Sequence, residues 1–118
     1  MKYFTCFLLL ATTLFCKAQN VSPDSAKFYE GKIISVCGEV KQVNTSSQKT
    51  TYINFGEVYP NATFTVVVFS DSTLNFSYPL ESLKGKNVCV TGLLKLYKGR
   101  PQIIIEHSEQ IEIRKPTE

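Results

Sequence analysis

From Lys32 onward the chain consists of short runs of β-branched and aromatic residues, cut by turn residues at intervals too short for helices. This pattern restricts the chain to an all-β fold. The runs predict five strands: Ile33 to Val43, Thr51 to Phe55, Thr63 to Phe69, Val88 to Tyr97 and Gln102 to Glu106. The last is expected to resume at Ile111 to Ile113. Polar loops and turns separate them: Asn44 to Lys49, Tyr59-Pro60-Asn61 and the tight Lys98-Gly99-Arg100-Pro101 connection. Gly38 and Gly92 fall inside the first and fourth strands, where glycine marks a bulge or a sharp bend.

Two helical pieces interrupt the β pattern. Ser22-Pro23-Asp24-Ser25 is a helix start, and it predicts one short turn over Ala26 to Tyr29, ended by Gly31. Pro79 to Leu83 predicts a second, between the third and fourth strands. A long bent strand, a hairpin pair, a helical insertion and a final hairpin give the order of a five-stranded Greek-key OB-type barrel. A flat sandwich would call for about seven strands.

The N-terminus must be set aside before the composition is used. Met1-Lys2 is a positive start, Tyr3 to Cys16 carries no charge, and Cys16-Lys17-Ala18 supplies small residues before Gln19. That is the pattern of a secretory signal cleaved after Ala18. The apolar run falls short of the roughly 20 residues of a spanning helix, so no stable membrane span is expected. Lipid anchoring through Cys16 is the other reading, and the bulky Phe15 speaks against it. The expected divisions are a signal peptide over 1–18, a flexible lead and short helix over 19–31, an OB domain over 32–113 and a tail over 114–118.

Cleavage removes Lys2 and Lys17. The net charge then falls from +3 to +1, with 11 basic residues against 10 acidic ones. Strongly basic nucleic-acid binders look different. Of the four cysteines only Cys37 and Cys89 remain. In an OB barrel the first and fourth strands are neighbours, so the pair is either a cross-strand disulfide or two buried thiols.

Certain motifs recur together in a known group of domains. They are Val36-Cys37-Gly38-Glu39-Val40, Asn54-Phe55-Gly56 with Tyr59-Pro60-Asn61, and Phe64 to Phe69. Leu83 to Gly92 and Tyr97-Lys98-Gly99-Arg100-Pro101-Gln102-Ile103 complete the set. The chain from about Ala26 to Ile113 resembles the nucleic-acid-binding-like OB domains of exported bacterial proteins. The resemblance implies a periplasmic or extracellular binding module.

Catalytic constellations are not evident. His107 is the single histidine, set among Glu106, Ser108 and Glu109, and reads as a solvated surface residue. No paired carboxylates, phosphate loop or zinc-ligand spacing stands out. The expectation is therefore binding without catalysis, with no cofactor and no metal.

OB domains bind across the second and third strands, between two rim loops. Tyr52, Tyr59, Phe69 and Tyr97 are candidate stacking platforms. Lys49, Lys98 and Arg100 lie in or beside the rim loops, and alternation puts Asn54 on the Tyr52 face. Lys84, Lys86 and Lys95 extend a possible basic side. The third strand is apolar on both faces, which leaves its orientation open. Single-stranded DNA or RNA is the expected partner. A polypeptide of the envelope, an oligosaccharide or an enzyme served as an accessory subunit is the alternative. Joint exposure of Val67 and Phe69 would favour a protein partner.

Overall fold

The computed structural model describes residues 19–115. The signal-peptide expectation, Cys16 included, lies outside these residues, as does the tail beyond Lys115. Among the described residues no helix is long and apolar enough to cross a membrane.

The described residues form eight strands: β1 (Asn20–Val21), β2 (Ile33–Thr45), β3 (Thr51–Phe55), β4 (Phe64–Val68), β5 (Asn87–Leu93), β6 (Lys95–Tyr97), β7 (Arg100–Ile104) and β8 (Ile111–Arg114). Their order in the sheet is β6-β7-β4-β3-β2-β5-β8, with β1 beside β2. All pairings are antiparallel except β4 with β7 and β1 with β2. β5 and β6 are separated by Leu94 alone, so chain continuity joins two distant positions in that order and the sheet curls round.

The single fourth strand expected from Val88 to Tyr97 is thus two. At Leu94 the backbone leaves its ladder: Leu94 donates to the Lys32 carbonyl at 2.9 Å and accepts from Gly31 at 2.8 Å. β5 pairs with β2 and β6 pairs with β7, so the break is where the strand changes partners. The expected flexible lead is also ordered, because Asn20 and Val21 run parallel to Ser35 and Val36.

The helical pieces are short 3-10 turns. Pro23–Tyr29 precedes β2, and Ser70–Asn75 and Leu80–Leu83 fill the connection from β4 to β5. Ala26, Leu80 and Leu83 from these turns are buried. They close the core beside Val36, Val40, Ile53, Phe55, Phe64, Val66 and Val90. The Phe55 and Phe64 rings sit 5.3 Å apart inside it. Phe76 meets Tyr78 edge-on, and partial burial pushes the Tyr78 phenol above its usual 10.0.

β4 resolves the orientation left open by its composition. Phe64, Val66 and Val68 point inward with 1% exposure or less, so Thr65 and Val67 face out. Val67 is nonetheless covered, at 4% exposure, while Phe69 is 46% exposed. The two are not exposed together.

Of the bulge or sharp bend expected at the strand glycines, a bulge is present at neither. Gly38 and Gly92 stand in regular register with Val88 and Ile34. Each makes room for a neighbour instead. A Cβ on Gly38 would lie 2.8 Å from Pro23, and one on Gly92 would lie 2.6 Å from Ile103. The bulge falls between Val40 and Gln42.

Cys37 and Cys89 are register partners on β2 and β5 and are disulfide-bonded, with Cα atoms 4.0 Å apart. The bond lies on the outer face, opposite the inward Val36, Val88 and Val90.

Candidate nucleic-acid interface

The outer face of β2, β3, β4, β7 and β6 carries a polar row. Gln42 pairs with Asn54, Asn54 with Thr65, Thr65 with Gln102, and Gln102 with Lys95. The next row runs Asn44, Tyr52, Val67 and Ile104. Asn54 is only 3% exposed, so its amide must be satisfied internally. Asn54 Nδ2 donates to Gln42 Oε1 at 2.8 Å, and Thr65 Oγ1 donates to Asn54 Oδ1 at 2.8 Å.

Two loops rise at one side of this floor. The first connects β3 to β4. Gly56 turns it at φ +85°, where a Cβ would strike Thr63. The Tyr59–Pro60 peptide is cis. Tyr59 N donates to Gln42 Oε1 at 2.9 Å, and the Arg100 guanidinium donates to the Pro60 carbonyl. The second is the β6–β7 hairpin. Lys98 and Gly99 have φ of 52° and 80°, the two positive values that a two-residue mirror-type turn requires. The turn is therefore Lys98-Gly99, and Arg100 and Pro101 already belong to β7. Lys98 Nζ rests 5.4 Å from the Tyr97 ring centroid, a cation–π contact.

Floor and loops enclose a groove of about 650 Å³. Six of the eight residues expected to bind meet there: Tyr52, Asn54, Tyr59, Tyr97, Lys98 and Arg100. Tyr52, Tyr59 and Tyr97 are 37%, 69% and 58% exposed, so all three can offer ring area to a ligand. Lys49 and Phe69 do not line the groove. Lys49 lies at φ 70° in the β2–β3 loop, and Phe69 is turned out at the start of the Ser70–Asn75 turn. Lys95 ends the polar row without lining the groove. Lys86 accepts from the Val40 N–H, and neither it nor Lys84 lines the groove.

Three lining residues were not anticipated: Asn44, Thr65 and Gln102. Thr65 was recoverable, since it is the single polar residue of the Phe64 to Phe69 run. Gln102 follows from Thr65 only once the parallel β4–β7 register is known. Gln42 and Asn44 are hidden by the bulge, which shifts the alternation phase of β2 between Val40 and Gln42.

His107 is exposed, and the turn it opens is held by Gln110. Gln110 Oε1 accepts from the Glu106 and His107 N–H groups at 2.9 and 3.0 Å. A smaller cleft of about 390 Å³ lies beside the disulfide, lined by Cys37, Asn87, Cys89 and Arg114 among others. Its charges are mixed, since Glu112 pairs in register with Cys89 and lies 3.9 Å from Arg114. Among the described residues no three His, Cys, Asp or Glu side chains gather as metal ligands would.

No protein-family model and no curated protein matches the chain. Solved structures do. The crystal structure of yeast Stn1 and Ten1 aligns with a TM-score of 0.59 at 17% identity, over 86% of this chain and 65% of that one. The chain thus spans just under two thirds of that neighbour. OBody AM1L10, solved bound to hen egg-white lysozyme, aligns at 0.55 and 14% identity, over 86% and 98% of the two chains. The chain has an OB-like fold. A Leishmania major protein described as an aspartyl-tRNA synthetase aligns at 0.53 with 6% identity, over 84% of this chain and 21% of that one. At these identities the likeness carries the fold and no ligand. In OB terms the groove lies across β3 and β4 and against the β6–β7 hairpin, the face and one of the loops that OB domains use for ligands.

Proposed function

We propose that the chain is an exported OB module that holds single-stranded nucleic acid in the tyrosine-lined groove, without catalysing a reaction. The observation that carries the reading is the convergence of Tyr52, Tyr59 and Tyr97 on one polar groove with Lys98 and Arg100 at its edge. Stacking on such rings is worth roughly 1–3 kcal/mol per base and accepts any base, because every base has a π-face. Two cations serve a short stretch of backbone, in keeping with the +1 charge of the chain from Gln19 onward.

Export rests on Met1 to Ala18 as a cleaved leader, with a periplasmic or extracellular destination. The Cys37–Cys89 bond suits such a compartment, because disulfides persist where glutathione does not reduce them. The resemblance to exported bacterial OB domains points the same way. The mass of the released chain tests this part: a product starting at Gln19 is expected, and a full-length intracellular chain would refute export.

A second reading takes the groove as a site for a polypeptide or an oligosaccharide. The low net charge favours it, and an OB-like neighbour is solved with a protein bound. Titrations with single-stranded DNA, single-stranded RNA and an oligosaccharide, each at low and high salt, separate the readings. Micromolar or tighter nucleic-acid binding is expected, with log K falling by about 0.7 per log salt for each phosphate neutralised. Salt-independent binding of the oligosaccharide alone would turn the assignment to the second reading.

A further inference from the structure

We infer that Thr65 reads a hydrogen-bond donor on the bound base, because the loop beside the groove fixes Thr65 as an acceptor. This inference rests on the groove being a base-binding surface, and it adds which edge of the base is read.

The polarity starts from a group that cannot reverse. The Tyr59 backbone N–H only donates. It meets Gln42 at 2.9 Å, so the Gln42 amide must present its oxygen there. The same oxygen receives Asn54 Nδ2 at 2.8 Å. Flipping Asn54 would set oxygen against oxygen, so its own oxygen is turned toward Thr65. The Thr65 hydroxyl fills that position at 2.8 Å. A hydroxyl has one proton, and this one is committed to Asn54. Toward the groove, which Thr65 lines, it offers lone pairs only.

The relay is sheltered. Asn54 is 3% exposed, so water does not readily compete for its bonds. Its starting point is also held: the guanidinium of Arg100 grips the carbonyl of Pro60, the residue after the Tyr59 whose N–H sets the polarity. Gln102 stands opposite Thr65 in register and lines the same groove with an amide able both to donate and to accept. The pair fits a base edge carrying an N–H, such as the N3–H of thymine or uracil or the amino group of cytosine or adenine, while the tyrosines take the base faces. Gln42 and Thr65 are thereby assigned different tasks. Gln42 is a positioning residue that acts through Asn54, whereas Thr65 touches the ligand.

The test compares a short oligothymidine with an oligomer of the same length made of N3-methylthymidine, by fluorescence anisotropy. The folded wild-type chain is expected to bind the methylated oligomer roughly tenfold more weakly, the loss of about one hydrogen bond. Thr65→Val should bind both alike, and Thr65→Ser should restore the difference. Equal binding of both oligomers by the wild type, with normal salt dependence, overturns this inference and leaves the base-binding reading intact. So does a preference that survives unchanged in Thr65→Val. Failure of the wild type to bind either oligomer overturns both. Without any ligand, Gln42→Ala should speed hydrogen exchange at the Tyr59 amide several-fold, and unchanged exchange would sever the loop from the relay.

Discussion

The two halves of β2 share one strand but sit in contrasting surroundings. Residues 33–39 pair one for one with β5, without a register shift, and are cross-linked through Cys37. Residues 40–45 begin at a bulge, pair with β3, and carry Gln42 and Asn44 to the groove side. On the first half the outward row at Cys37 is closed by a covalent bond. On the second the outward row is a chain of amides and hydroxyls, ending at a surface that other groups can reach. The bulge is what permits this division. It resets which residues face out, so a strand whose first half supplies a staple can supply recognition with its second. The covalent cross-link lies on one half, and the polar groove on the other.

This separation can be broken by experiment. The largest effect is expected from Cys37→Ala combined with Cys89→Ala. Opening a loop with a sequence separation of 52 should cost about 4 kcal/mol of stability by the chain-entropy estimate, read by urea unfolding. Affinity for single-stranded DNA should stay within about twofold where the variant is still folded, since that is well under 1 kcal/mol. A large loss of affinity would show that the halves are coupled.

The reciprocal variant is Tyr52→Ala with Tyr97→Ala. Each ring should account for roughly 1–3 kcal/mol of binding, seen in the same titration. Exposed positions of this kind should shift unfolding by less than about 0.5 kcal/mol. A stability loss as large as the binding loss would make the rings structural.

Asn54→Ala sharpens the comparison because Asn54 belongs to both accounts. It leaves Gln42 and Thr65 each short of a partner near the groove floor, at a cost of about 1–3 kcal/mol in stability. Binding should weaken as well, since the relay that orients Thr65 is lost. Lys98→Gln is expected to be the mildest change. It should flatten the salt dependence of log K by about 0.7, one phosphate contact, and leave the urea midpoint in place.

Much of the fold was legible in the sequence because alternation and turn residues are local signals. Thr51–Phe55 shows it best: β-branched and aromatic residues bounded by Gly56 give both strand limits. The partner switch at Leu94 was not legible, since it depends on Gly31 and Lys32 lying beside that residue in space. What the strand glycines accommodate was hidden for the same reason. Their missing side chains answer to Pro23 and Ile103, which the chain brings to them from far away. At the site, the tyrosines and the Lys98-Gly99 turn were readable from residue type and position. Phe69 and Lys49 were not, because nearness to a rim in sequence does not say which way a side chain leaves the backbone. Thr65 and Gln102 needed the register between strands, and Gln42 needed the bulge.

The most direct test of the account is an amide chemical-shift map of the chain from Gln19 onward, titrated with single-stranded DNA. The largest changes are predicted at Tyr52, Tyr59, Thr65, Tyr97 and Gln102, with the Cys37 and Cys89 region still. Changes centred on the Cys37, Cys89 and Arg114 face, with the tyrosine groove unmoved, would contradict it.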